Sequence, residues 1–273
     1  MPKSTHKKVS SQPAIESAMT ALPDPHRAGL PAADSIISVT VPTAPMALAP
    51  GGAAVKQYTI IHTNEIDEYE EALAPSAALA PASDDFEGKD RKAAKLSISN
   101  AKTEKFKDVR DLISSLAPEA TMKNHKPKIG KTQTSKRVKE EERNIRVRAF
   151  LYAAKREDDN DFHLILGRDP KSSPEMYMTM ELSGLPPANS PAFKQLNAAR
   201  DAFKKFYNDH AGGQLPGKGG YDFPDPPVPV EIDGSLFFDV THSTGPRPGP
   251  KSLKSRMPVI WEVHPIAKIK FKS

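Results

Sequence analysis

The sequence predicts a mainly β domain with one helix, in the order β-β-β-α-β-β, carried behind a long Ala/Pro/Ser-rich N-terminal arm. Three observations predict it. Strict period-two alternation begins at Asn144, a stretch of helical period follows Ser190, and the residues upstream are too poor in patterned apolar side chains to close around a core. The domain boundaries follow: 1–95 as a disordered arm, 96–142 as an amphipathic helix and basic connector, and 143–273 as the β domain.

Composition sets the frame. Hydrophobic residues are 37% of the 273 and Pro reaches 27, so part of the chain is expected to stay open. From Met1 to about Val55 neither period persists, and such a segment cannot offset its ordering entropy by burial. Tyr58 to His62 reads as a short strand or a docking peptide, and the acidic run behind it returns to linker character. Phe106, Val109, Leu112, Ile113 and Leu116 recur at helical spacing before Pro118, predicting one amphipathic helix. Thr121 to Lys139 is Lys/Arg-rich with few apolar residues and reads as a solvated basic connector.

The domain proper starts with Ile145, Val147, Ala149 and Leu151 on one face of a first strand and Arg146, Arg148, Phe150 and Tyr152 on the other. After the turn EDDND, Phe162, Leu164 and Leu166 alternate with His163 and Ile165 as a second strand. A third runs from Met176 to Leu182. Ser190 as cap and Pro191 at the first helical position open a helix with Phe193, Leu196, Ala199, Phe203 and Phe206 on its stripe, closed by Gly212 and Gly213. A Gly/Pro-rich loop leads to a fourth strand through Val228, Val230 and Ile232, where Gly234 predicts a bulge. The last strand spans Val259 to Phe271, and Pro265 within it predicts an edge or a bulge. This order is that of an OB-fold-like five-stranded barrel.

The strings DNDFHLILG, GSLFFDVTH and IWEVHPIAKIKF follow one another in this part of the chain. Together they resemble an uncharacterised family of small bacterial OB-like proteins with the motifs K-x-E-x-D-x-D-[YF]-H-L-[VI]-L, I-A-E, G-x-x-F-F-D-x-x-H and E-x-H-P. The matching positions are Lys155, Glu157, Asp159, Asp161, His163, Glu181, Gly234, Phe237, Phe238, Asp239, His242, Glu262, His264 and Pro265. The resemblance covers about the last 130 residues and implies a fold and a bacterial origin, without an activity. Members of that family are often secreted, and the chain departs from it in showing no secretory signal and no cysteines, in its third-strand motif, TMELSG, and in a more basic fourth loop.

Polar residues on alternate strand positions are the candidates for chemistry. His163, Glu181 and His264 stand on three strands that neighbour one another in such a barrel, with Asp239 and His242 at the end of the fourth. These five admit three readings: a buried polar network, a divalent metal site such as Zn²⁺, or a general acid/base pair. No other cofactor is expected, since phosphate-loop, nucleophile-elbow and dinucleotide motifs are absent from the sequence.

The formal charge is +5 with a pI near 9.1, which favours anionic partners. Arg247, Lys251, Lys254 and Arg256 on the fourth loop, with Arg146 and Arg148 on the first strand, are the candidate anion or nucleic-acid contacts. The function expected is a non-catalytic binding module for an anionic partner such as nucleic acid. A phosphodiester hydrolase using the His/carboxylate cluster is the alternative, and a structural domain recruiting protein through the arm is the second. Cysteine is absent, which excludes disulfides and thiolate metal sites. No run of about 18 apolar residues occurs, so no membrane span is expected. No apolar run follows Lys3, Lys7 and Lys8, so no secretory signal is expected and the localisation expected is cytoplasmic.

Overall fold

A computed structural model describes residues 58–67 and 83–272; the arm before Tyr58, expected to be open, lies outside the described residues. The alternating segment at Asn144 forms the long strand β3 (Asn144–Arg156), preceded by short strands β1 (Thr59–His62) and β2 (Thr103–Phe106). Among the described residues, three short α-helices lie between β1 and β3: α1 (Lys92–Lys95), α2 (Val109–Ser114) and α3 (Glu119–Lys123). After β3 come β4 (Phe162–Gly167), β5 (Tyr177–Leu182), helix α4 (Phe193–His210), β6 (Asp222–Asp225), β7 (Val228–Phe238), helix α5 (Lys251–Lys254) and β8 (Trp261–Phe271).

Strand β3 pairs with β7 along its first half and with β4 along its second, with a register shift between Leu151 and Ala153 where it turns from one partner to the other. β4 pairs with β5, β7 with β8, and β5 runs parallel to β8, so β3, β4, β5, β8 and β7 close into the five-stranded barrel that the sequence predicts. The alternation read from sequence sorts the two faces. Ile145, Val147, Leu151, Leu164, Met180 and Val263 fill the barrel, and Phe203 of α4 packs on Phe162 with ring centroids 4.9 Å apart. Gly234 sits at a bulge against β8, where a Cβ would lie 2.5 Å from the Pro265 carbonyl oxygen and 2.5 Å from Val263 Cγ1. Of the two options for Pro265 the bulge is observed, because β8 lies between β5 and β7 and is no edge.

Several expectations need correction. Residues up to 95 are not all arm: β1 adds to β6, Phe86 is buried, and the Arg91 guanidinium makes two 2.7 Å bonds to Glu141 inside the protein. The sequence hides this because single apolar anchors and buried ion pairs have no period. The amphipathic helix is present but shorter than its spacing suggests: Phe106 ends β2 in parallel pairing with β3, and within this stretch Val109–Ser114 is helical, with Val109 and Leu112 buried and the Asp108 carboxylate as cap. The connector is tied down rather than solvated throughout: Met122 and Ile129 are buried, and Arg137 donates to the carbonyls of Leu236, Ala94, Ser97 and His264. Helix α4 begins at Phe193 instead of Pro191, because Ser190 closes a turn onto the Pro187 carbonyl; Gly212 and Gly213 end it at φ 62° and 84°. Strand β6 was concealed by Pro224 and Pro226 in what reads as a loop.

Candidate functional site

The outer face of the barrel builds the site. On β4 and β5, His163 and Glu181 are register partners, and the pairing of Met180 with Val263 sets Glu181 beside Glu262 and His264 of β8. The loop from β3 to β4 adds Glu157, Asp159 and Asp161. His163 Nδ1 lies 3.0 Å from Glu157 Oε1 and 3.2 Å from Glu181 Oε1. His264 Nδ1 lies 2.8 Å from Glu181 Oε2, and its Nε2 lies 3.3 Å from Asp161 Oδ2. Asp161 Oδ1 accepts from the Gly184 amide at 2.6 Å, which fixes the carboxylate. Three of the five sequence-predicted residues, His163, Glu181 and His264, therefore converge. Asp239 and His242 contact each other directly through Oδ2 and Nδ1 at the margin of the same cluster.

The face is closed. His163, Glu181 and His264 are 3%, 3% and 0% exposed: Tyr221 packs on His163, Phe237 packs on His264 under the Arg91 guanidinium, and Lys95 lies against Asp159 and Asp161. Lys95 Nζ sits 3.4 Å from Asp159 Oδ2 and 3.8 Å from Asp161 Oδ2, and the Lys95 carbonyl accepts from Ser183 Oγ. On the far side of His163, Lys155 Nζ is 3.7 Å from Asp67 Oδ2, and Asp67 also accepts from Tyr221 Oη and the Gly249 amide. The site reading from sequence did not include Lys95 or Asp67, which lie far from the strands along the chain. Glu157, Asp159 and Asp161 are among the motif positions that carry the family resemblance but were not among the five candidate residues.

Charge pairing dominates the protonation states. Burial pushes His163 down, but Glu157 and Glu181 reverse this and hold its imidazole well above the usual range. Burial likewise opposes the charged form of His264, and Glu181 and Asp161 hold it well above its ordinary value. Glu181 answers in kind: burial raises it, yet His264, His163 and Lys95 keep it well below the usual carboxylate range. Burial and the neighbouring Glu181 charge push Glu262 up to about 8, and burial with Asp161 pushes Asp159 up to about 7. His242, lowered by burial but hydrogen-bonded to Asp239, is raised to about 9. Chemically the cluster can hold protons or a cation, with His163 and His264 themselves buried.

The predicted anion contacts are not brought together. Arg146 forms a fork on Asp233, with both bonds at 2.6 Å, and Arg148 is exposed opposite Glu231 in the β3–β7 register. Arg247 donates to Glu119 at 2.8 Å, Arg256 pairs with Glu175 over the Tyr177 ring, and Lys251 and Lys254 both have partners within the protein. Tyr152 is buried and donates to the Arg168 carbonyl, so it presents no stacking surface. Exposed lysines stand instead on the connector: Lys126, Lys128, Lys131, Lys136 and Lys139 have no ion-pair partner among the described residues.

No family model, curated protein or solved structure matches the chain. No helix among the described residues is long and apolar enough to cross a membrane.

Proposed function

We propose that this chain is a non-catalytic binding module, a barrel of OB-fold connectivity that engages nucleic acid through the lysines of its connector. One observation carries the reading. Lys126, Lys128, Lys131, Lys136 and Lys139 project from a stretch without a single Asp or Glu, on a backbone anchored by Arg137, Ile129 and the bond from Arg91 to the Lys136 carbonyl. Cations held on a fixed backbone neutralise phosphates without first ordering the chain, and release counterions from the nucleic acid. The proposed contacts lie on the connector rather than on the fourth loop, whose Arg247 and Arg256 pair with Glu119 and Glu175. The resemblance to the bacterial OB-like family agrees with this fold assignment. The hydrolase alternative has the convergence of His163, Glu181 and His264 in its favour, but their closure from solvent argues against it.

Mobility shift against single- and double-stranded DNA and RNA at two salt concentrations tests the proposal. If all five lysines contact phosphates of duplex DNA, log K falls against log salt with a slope of about −4.5, or about 500-fold weaker binding for a fourfold rise in salt. Replacing the five by Gln is expected to remove most of that slope. Absence of any shift at low salt, or an unchanged slope in the Gln variant, refutes it.

A further inference from the structure

The His/carboxylate cluster does not take part in that binding surface, and it has a chemistry of its own. We infer that Asp161, Glu181 and His264 form a site for one divalent transition-metal ion of the zinc class, with His163 as a positioning residue.

Each of the three offers a ligand atom, and these atoms lie within 4.8 Å of one another. They come from three elements of the barrel wall, the β3–β4 loop beside β4, β5 and β8, so the donor set is held by pairing rather than by a mobile loop. The second observation is that the donors are unsatisfied. Asp161 Oδ2, Glu181 Oε2 and both ring nitrogens of His264 are buried and make no hydrogen bond of acceptable geometry, although they approach to 3.3 and 2.8 Å. Buried polar atoms are almost always paired, so atoms that converge without bonding each other point to something between them. One ion takes one nitrogen of His264: the 3.3 Å separation of Asp161 Oδ2 and Nε2 matches the edge of a tetrahedron with metal–ligand arms of about 2.0–2.1 Å, which leaves Nδ1 2.8 Å from Glu181 Oε2.

The surroundings are those of a metal site. The Gly184 amide holds the other oxygen of Asp161, and His163, itself 3.0 Å from Glu157, stands 3.2 Å from the other oxygen of Glu181. Lys95 Nζ lies 3.4 Å from Asp159 Oδ2 and 3.8 Å from Asp161 Oδ2, so its ammonium stands beside the carboxylate that an ion would take. An imidazole with carboxylates selects zinc-like ions over calcium or magnesium, which take all-oxygen sets. The neighbouring group of Asp67, Glu157 and His163 is a poorer choice, since Asp67 already accepts from Tyr221 and Gly249 and faces Lys155.

The full chain, stripped with chelator, is titrated with Co²⁺ and read by visible absorption, with Zn²⁺ as competitor. One equivalent of cobalt giving tetrahedral d–d bands, displaced by one equivalent of zinc, is the expected result. Glu181→Gln and Asp161→Asn should abolish the bands, and His163→Gln should weaken uptake about 10–100-fold. Lys95→Ala should tighten uptake, because its ammonium competes for Asp161; a purely structural network has no reason to gain affinity. Circular dichroism identifies variants that keep the fold, and only those are scored. His264→Ala is included, but wild-type stoichiometry decides even if it unfolds. No cobalt bands in the wild type at millimolar metal, or bands retained unchanged in folded Glu181→Gln, overturn the inference.

Discussion

Arg91→Ala tests whether the segment that the sequence placed in the arm is part of the fold. Arg91 and Glu141 are 1% and 0% exposed, and the guanidinium donates to both Glu141 oxygens at 2.7 Å, to the Phe238 carbonyl at 3.1 Å and to the Lys136 carbonyl at 3.0 Å. Removing it leaves a buried carboxylate with only the amides of Val138 and Phe238 as donors. Breaking a buried pair in this way costs about 3–5 kcal/mol, at least about a fifth of the roughly 5–15 kcal/mol typical of a domain. With an m-value of about 2 kcal/mol/M in urea the midpoint falls by about 2 M. The assay is built into the protein, because its one tryptophan, Trp261, is buried in the barrel with Nε1 donating to the Ala117 carbonyl at 2.9 Å. Urea unfolding followed by Trp261 fluorescence reads the shift, with the exposed Lys89→Ala as control. A loss below about 1 kcal/mol, within the range of surface substitutions and weak contacts, refutes the docking of residues 83–101. Replacing both partners by apolar residues, Arg91→Met with Glu141→Leu, should recover part of the loss, since the isolated charge is then gone.

Gly234→Ala should destabilise by about 1–3 kcal/mol through overpacking, since its Cβ meets the Pro265 carbonyl and Val263 at 2.5 Å; an unchanged urea midpoint would contradict the bulge geometry. Phe203→Ala should cost about 3–5 kcal/mol by opening a cavity between α4 and Phe162, measured in the same way, and a loss under 1 kcal/mol would mean that the helix does not seal the barrel. His62 is raised above its ordinary value chiefly by its hydrogen bond to Asp222, at 2.7 Å, against the lowering effect of burial. Its contribution is therefore complete below the unfolded histidine value of about 6.5 and is lost as pH rises through the folded value. Asp222, raised by burial, acts in the same direction. The difference between urea midpoints at pH 6 and pH 8 should shrink in His62→Gln, and an unaltered difference would remove this pair from the pH response.

The barrel was legible because burial on one face writes a period into the chain. Ile145 to Leu151, Phe162 to Leu166 and Met178 to Leu182 alternate with the pleat, and Phe193 to Phe206 follow the helical stripe, so strands, helix and their order could be read before any contact was known. The same alternation put His163, Glu181, Glu262 and His264 on the outer face. What local pattern cannot encode is which distant segment covers that face. Lys95, Arg91, Phe86 and Asp67 reach the barrel from segments read as arm and linker, each anchored by one or two contacts that leave no repeating signal. The charged residues behave likewise. Arg146, Arg247 and Arg256 look free in sequence, and only the approach of Asp233, Glu119 and Glu175 in space pairs them. Periodicity is a property of neighbours along the chain, whereas closure of the His/carboxylate cluster and the pairing of the arginines depend on tertiary contacts, and these the folded structure alone decided.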